Sequence, residues 1–365
     1  MNMLQTYYLI GNMLSSDSIS NQRECVIKSL KSPTISWQLF IATASNHLVL
    51  QTIYRKVLEQ QLTKYLPSEV LGHLKYIYDI NFQRNTKILE QVNSINLLLN
   101  SHGIVPLYLK GVGNIIDDLY NNIGERIMHD IDLLVPDEQW EASADILIKD
   151  GYQPRQRYEL NNRTKTMHFP ILTKPGTKAS VEIHRLPDRY KFSSILEVDE
   201  VWQDKKPAKN MLNCYVMSDR HKIIHNFIHS QLHHEGHLYA KVFLRSLYDL
   251  LLLSKRENLE TVFESMNKYR KEVACYLQIM NKGFKIKDTT GFNLKYKVSG
   301  YLIRHEINLS TWIISRSTYL FLKIFRAYIK IPLLALTSRE LRISLIKRLS
   351  DKSWYRQHLN SYKRF

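Results

Sequence analysis

The sequence predicts an α+β protein: a small mixed β-sheet between an N-terminal helical cap and a C-terminal helical region. Three observations carry that expectation. Apolar residues recur at helical spacing through roughly the first 100 positions. Short apolar or alternating runs, punctuated by Gly and Pro, occupy 104–190. Helical spacing then returns from about Ser193 onward. At 365 residues the chain is long enough to bury a substantial core. The expected divisions are a helical region 1–103, an α/β core 104–190, a helical domain 191–299 packed on the core, and a basic amphipathic helical end 300–365.

Ser36 is placed to cap a helix carrying Trp37, Phe40, Ile41, Ala44 and Leu48 and running on through Gln51 to Val57. A second helix starts near Ser68 and continues to about Asn100, where Ser101-His102-Gly103 supplies the stop. Ile104–Leu109 is too short for a helix and reads as a strand. Lys110-Gly-Val-Gly113 reads as a turn into a helix over Asn114–Asn121. Ile131–Val135 is a second strand ended by Pro136, and Asp137 caps a helix that Gly151 stops. Strands are expected at Tyr152–Tyr158, Met167–Leu172 and Ser180–Arg185, then helices at Asp219–His234, Tyr239–Lys255, Leu259–Tyr269 and Val273–Lys282.

The chemistry concentrates in the core. Asp130 and Asp132 stand two apart on an expected strand, so both carboxylates lie on one face. Two converging carboxylates make a hard oxygen site suited to Mg²⁺. Glu182, on a later strand, can add a third, and three acids could hold two metals, one on a triphosphate and one on an acceptor hydroxyl. The glycines at Gly111 and Gly113 let backbone approach a phosphate, and Lys110 or Arg126 can add a cation against it. Taken singly, each element has an ordinary explanation: Asp-x-Asp is common on exposed strands, and Gly at a turn needs no ligand. Their joint order is harder to dismiss.

The pattern Lys110-Gly111, Arg126, Asp130-Ile-Asp-Leu-Leu-Val135 and Val181-Glu-Ile-His184 resembles the bacterial nucleotidyltransferase-like family of the DNA polymerase β superfamily. Tyr120, Asp150-Gly-Tyr152, His229, His233, Arg245 and Asp249-Leu-Leu-Leu252 continue it, so the resemblance covers about 100–255. It implies Asp130, Asp132 and Glu182 as metal ligands and catalytic acids, with Mg²⁺ or Mn²⁺ as cofactor and a nucleoside triphosphate (NTP) as substrate. Lys110, Gly111, Gly113, Arg126 and His184 become the nucleotide-binding set, His184 orienting acceptor or nucleotide. Where the wider superfamily has Gly-Gly or Gly-Ser, this chain has Lys110-Gly111. The expected activity is transfer of a nucleoside monophosphate to a hydroxyl acceptor, a saccharide or small biosynthetic intermediate first. An RNA- or protein-modifying enzyme and a non-catalytic nucleotide-binding scaffold are the alternatives. Should Glu182 not be the third acid, Glu125 and Asp117 come next.

Four histidines, His221, His225, His229 and His233, recur every four residues, followed by His234 and His237. On a 3.6-residue helix each step of four overshoots by about 40°, so four cannot share one ion, and no third ligand is recognisable. Packing, exposure or a place at the site rim is the expectation. Arg245 and Asp249 are spaced to pair along a helix, and Asp249 is expected to anchor the helical domain.

Composition sets the remaining bounds. Three cysteines, Cys25, Cys214 and Cys275, with no paired spacing give no disulfide framework or zinc site, and a reducing cytosol is expected. The start shows no signal peptide, and the charge-free run Ser32–Tyr54 is broken by Pro33, Gln38, Asn46, His47 and Gln51, as in a buried helix. Net charge is +17, of which residues 301–365 contribute +10. That end suits an anionic partner: RNA, the inner membrane surface or an acidic protein. A solvated basic face is the plainer alternative.

Overall fold

The computed structural model describes residues 1–16, 22–155, 166–284, 299–310, 317, 320–321 and 324–350. The strand expected at Tyr152–Tyr158 falls partly outside that set, as does much of the basic end. Two compact units are present: Met1–Leu238 with Val242–Ser299, and Tyr239–Lys241 with Gly300–Phe365.

The first unit opens with α1 (Met3–Ser15), α2 (Gln22–Leu30), α3 (Trp37–Asn46), α4 (Leu50–Glu59) and α5 (Ser68–Ser101). Ser36 caps α3 through Leu39 N. The single helix expected through Val57 is two, because the chain turns at His47-Leu48, where Leu48 has φ +59°, and restarts at Leu50. The 34 residues of α5 span about 50 Å. Its buried stripe, Val70, Leu74, Ile88, Val92, Ile95 and Leu99, is interrupted by Asn81 and Asn85. Those amides do a specific job: Asn81 donates to Gly124 O (2.8 Å) and Asn85 to Arg126 O (2.8 Å). They clamp the loop that leads into the Asp-x-Asp strand. Gly103, at φ +75°, follows the end of α5.

Among the described residues seven strands form one mixed sheet in the order β3-β4-β5-β2-β1-β7-β6. They are β1 (Leu107–Tyr108), β2 (Asp130–Leu134), β3 (Gln153–Pro154), β4 (Leu172–Thr173), β5 (Ser180–His184), β6 (Lys206–Pro207) and β7 (Tyr215–Val216). At its centre β2 pairs parallel with β5 and antiparallel with β1. Ile131, Leu133, Val181 and Ile183 are fully buried, and on the β5 side α7 (Trp140–Lys149) sends the Trp140 indole N–H to Ile183 O at 2.9 Å. Because side chains alternate, the other face of the same strands presents Asp130 and Asp132 beside Glu182 and His184.

The expected turn at Lys110-Gly-Val-Gly113 is instead the first turn of α6 (Lys110–Ile116), so that helix starts four residues early and ends before Asn121. The change of direction falls on Lys110 itself, at φ +46°. A Cβ on Gly113 would collide with the Tyr108 carbonyl, so the glycine is what lets the helix lie against β1. After α8 (Val198–Gln203) come α9 (Asp219–Phe227), a π turn over Ile228–His233, α10 (Leu244–Leu253), α11 (Leu259–Glu264) and α12 (Arg270–Phe284).

In the second unit the helix Ser299–Ser310 is fastened to Tyr239–Lys241: His305 Nδ1 lies 2.9 Å from Ala240 O, and Asn308 donates to Tyr239 O at 2.7 Å. Phe321, Phe325, Tyr328, Leu333 and Leu336 are exposed there. No helix among the described residues is long and apolar enough to cross a membrane.

Candidate active site

Strand pairing brings the separated acids together. Asp132 and Glu182 are direct partners across β2 and β5, with Leu134 opposite His184. His184 Nε2 stands 3.0 Å from Asp132 Oδ1 and 3.5 Å from Glu182 Oε2, and ligand atoms of all three lie within 4.8 Å of one another. Asp130 lines the same cavity but stands outside that close group. Lys110, reaching over from the start of α6, places Nζ 2.6 Å from Asp132 Oδ1.

The electrostatics follow from burial and these contacts. Burial would raise the Asp132 carboxyl, but the Lys110 charge and the His184 hydrogen bond hold it well below the usual carboxylate range. Asp130 moves the other way, raised by burial and by the Asp132 charge. His184 is raised despite burial, because both carboxylates favour its proton. Lys110 is likewise raised: burial opposes its charge, and Asp132 outweighs the burial. Its left-handed backbone costs about 1–2 kcal/mol in a non-glycine residue, a strain located at the site.

A cavity of ≈ 430 Å³ opens over these groups, lined by Lys110, Gly111, Arg126, Asp130 and Glu182 from the core. Lys222, His225, His229, His233, His234 and Arg245 line it from the helices that follow. Gly111 leaves room for the Arg126 guanidinium and Met128, which a Cβ would strike. Gly113 is absent from the lining and donates its amide to Leu109 O. What the structure gives it is close packing of α6 against β1, where a Cβ would strike the Tyr108 carbonyl.

Arg126, which the sequence offers with Lys110 as a cation against phosphate, lines the cavity but does not stand free. Its guanidinium is instead paired twice with Asp249, and Tyr120 also donates to that carboxylate. The pairing expected between Arg245 and Asp249 along α10 gives way to this one. Arg245 Nε has no hydrogen-bond partner among the described residues, and the side chain lines the cavity. The fallback acids lie elsewhere. Asp117, fully buried, is held by Lys222, Lys206 and Arg256. Glu125, also buried, sits near Lys56 and Glu59, and burial lifts it to about 7.

Sequence reasoning does not single out His168 and Lys222, which also line the cavity. His168 bridges to His184 in backbone pairing and stands 4.0 Å from Glu182. Lys222 carries a charge that burial lowers to about 8. Burial holds His225 down to about 4 and His229 to about 3, so both are neutral imidazoles at neutral pH. Asp188, four residues past His184 at the end of β5, lies against them. The usable signal was the four-residue histidine spacing, which lacked its carboxylate. A polar cavity with Lys110, Lys222 and Arg245 around paired acids suits an anionic, phosphate-bearing ligand together with a cation.

Residues 33–281 match a family model described as uncharacterised nucleotidyltransferase. No curated protein sequence matches the chain. Among solved structures, the solution structure of the antibiotic-resistance factor ANT(2'')-Ia aligns with 53% of this chain and 97% of its own. The identity is 13% and the TM-score 0.37.

Proposed function

The chain belongs to the uncharacterised nucleotidyltransferase family, and from that premise we propose that it moves a nucleoside monophosphate from an NTP to a hydroxyl group, releasing pyrophosphate. The favoured acceptor is a saccharide or other small biosynthetic intermediate. The observation that carries the reading is the in-register pair Asp132 and Glu182 beneath the cavity, with Lys110 on Asp132. A buried carboxylate already drawn to an ammonium fits a hard cation, and Asp130, Asp132 and Glu182 are the residues that would hold Mg²⁺ or Mn²⁺. Such an ion, when bound, gathers triphosphate oxygens and lowers the pKa of an acceptor hydroxyl.

The chain's own groups divide the remaining work. The acceptor oxygen bonds to the α-phosphorus, the bond from that phosphorus to the bridging oxygen breaks, and the acceptor gives up its proton. Glu182, exposed enough at 15% to meet a ligand, is the group that draws the proton. His184 holds Asp132 and Glu182 in position through its Nε2. Lys110 and Arg245 meet the charge that develops on pyrophosphate as it leaves, while Lys222 stays engaged with Asp117.

Incubating the full chain with each of the four NTPs, Mg²⁺ and a panel of saccharides tests this. Acceptor-dependent pyrophosphate release, lost in Asp132→Asn, is the expected result; release at the wild-type rate by that variant refutes the site. A macromolecular acceptor, RNA or protein, is the second reading, favoured by the +10 charge of residues 301–365. Steeply salt-dependent RNA binding would mark it.

A further inference from the structure

We propose that Asp188, His225 and His229 form a metal site of their own, distinct from the Asp132 cluster, taking a zinc-class divalent ion through two imidazole nitrogens and one carboxylate oxygen. The proposal stands independently of the nucleotidyl-transfer reading. Its geometry is specific. Asp188 Oδ2 lies 3.7 Å from His225 Nε2 and 3.8 Å from His229 Nδ1, and the three ligand atoms all fall within 4.8 Å of one another. Those separations are too long for hydrogen bonds. Donors about 2.0–2.1 Å from a tetrahedral ion stand about 3.3 Å apart, so each imidazole nitrogen is about half an ångström from its ligating distance to Asp188 Oδ2.

The nitrogens are unsatisfied as they stand. His225 Nε2 and His229 Nδ1 are buried without a hydrogen-bond partner, and the His225 side chain is 4% exposed. Buried polar atoms are ordinarily paired, so two orphans aimed at one carboxylate oxygen need an explanation. An ion between them supplies it. Asp188 is prepared to bind through one oxygen: its Oδ1 already accepts from His233 Nδ1 at 2.7 Å and from the Arg189 amide at 2.7 Å, which leaves Oδ2 for the ion. On the far side of His229, Nε2 meets His234 Nε2 at 3.0 Å. That contact leaves Nδ1 as the ligating atom, in the way outer partners commonly orient metal-bound histidine.

The helix geometry explains how the spacing works. On an α-helix each four-residue step overshoots a full turn by about 40°. The backbone changes to a π turn over Ile228–His233, where i→i+5 closure winds more slowly and the same step falls short. The two errors offset each other, so His225, His229 and His233 stay on the side facing Asp188. Three protein ligands leave a coordination position open, the pattern of a site that takes a further ligand, and both histidines line the cavity. Nitrogen donors select a borderline transition ion over Mg²⁺.

The test is Zn²⁺ binding to the full chain without a polyhistidine tag, by calorimetry and metal stoichiometry, with and without Asp132→Asn to disable the other cluster. In the wild type this site should fill in addition to any Zn²⁺ held by the carboxylate cluster, and one Zn²⁺ per chain is expected in the Asp132→Asn background. His225→Gln and His229→Gln should each weaken it beyond the roughly 10–100-fold that loss of an orienting partner costs. His233→Gln should fall within that range, and His221→Gln, outside the cluster, should leave binding unchanged. Since His229 is 30% exposed, its variant tests the site even where His225→Gln fails to fold. A folded wild type that binds no Zn²⁺, or binding that survives both ligand variants, overturns the proposal. So does Zn²⁺ binding lost in Asp132→Asn alone, which places the ion at the carboxylate cluster.

Discussion

Arg126 and Asp249, 123 residues apart, meet as a buried bidentate pair. Nη2 lies 2.9 Å from Oδ2 and Nε 3.1 Å from Oδ1, with 9% and 6% of the side chains exposed. Since Arg126 opens the loop into β2 and Asp249 lies on α10, this pair ties the sheet that carries Asp130 and Asp132 to helices that line the cavity. Removing one partner strands a buried charge. Asp249→Ala should therefore lose about 3–5 kcal/mol of unfolding free energy, read by urea denaturation. The double variant Arg126→Met/Asp249→Leu should lose clearly less than the single. A loss below about 1 kcal/mol for Asp249→Ala would mean the pair behaves as a surface bridge and does not fasten the two parts.

Glu125 provides a pH test away from the cavity. Its folded-state value of about 7 lies above the ordinary 4.5, chiefly through burial and then the charge of Glu59. A carboxyl raised on folding favours the folded state fully below about pH 4.5 and loses that contribution as pH rises through about 7. At 1.36 kcal/mol per unit the change is about 3 kcal/mol. Glu125→Gln should thus gain stability over wild type at pH 8 and show little gain at pH 4, with turnover unchanged. Loss of turnover in a folded variant would return Glu125 to the list of site acids.

Much of this architecture was legible because it depends on local chemistry. Ser36 and Ser68 mark helix starts by type and position, and the period-two placement of Asp130, Asp132, Glu182 and His184 forces a shared strand face. What local sequence could not give was adjacency: only the parallel pairing of β2 with β5 sets Asp132 against Glu182. The partner of Asp249 was misread for the same reason. A spacing of four suggested Arg245, but the buried Arg126 guanidinium makes the stronger demand for a counter-charge. Asp188 was hidden because the histidines that face it lie 37 or more residues later, brought back by the fold. Lys110-Gly-Val-Gly113 looked like a turn because glycine serves loops and close packing alike, and only the Tyr108 carbonyl distinguishes the two.

Lys110 competes with metal for one oxygen. Its Nζ occupies Asp132 Oδ1 at 2.6 Å, so a divalent ion must displace or share that contact. Lys110→Met should bind Mn²⁺ more tightly in the absence of nucleotide, by roughly tenfold, or 1.4 kcal/mol. Turnover should nevertheless fall, because the cation that meets the phosphates is gone. Unchanged Mn²⁺ affinity, measured by electron paramagnetic resonance titration, would show that Asp132 does not bind the ion.

Glu182→Gln separates binding from chemistry. If the carboxylate acts chiefly on the acceptor proton, the amide variant should bind NTP nearly as wild type while kcat falls by about 10²–10⁴. An effect confined to KM would assign Glu182 to holding nucleotide alone.

The basic end should serve docking. Every described residue lining the cavity lies between Tyr108 and Leu253, within the compact unit Met1–Leu238 with Val242–Ser299. The +10 charge of residues 301–365 belongs to the other unit, where apolar side chains such as Phe321, Phe325 and Leu333 are exposed. Metal-dependent transfer needs no such charge, whereas holding an anionic surface does. A chain ending at Ser299 should keep its affinity for Mg-NTP, with circular dichroism confirming that it remains folded. Its association with anionic vesicles or RNA should drop, and the salt dependence of what remains should flatten as the released counterions disappear. If the shortened chain is folded yet binds no nucleotide, residues beyond Ser299 complete the cavity, and the separation of docking from transfer is wrong.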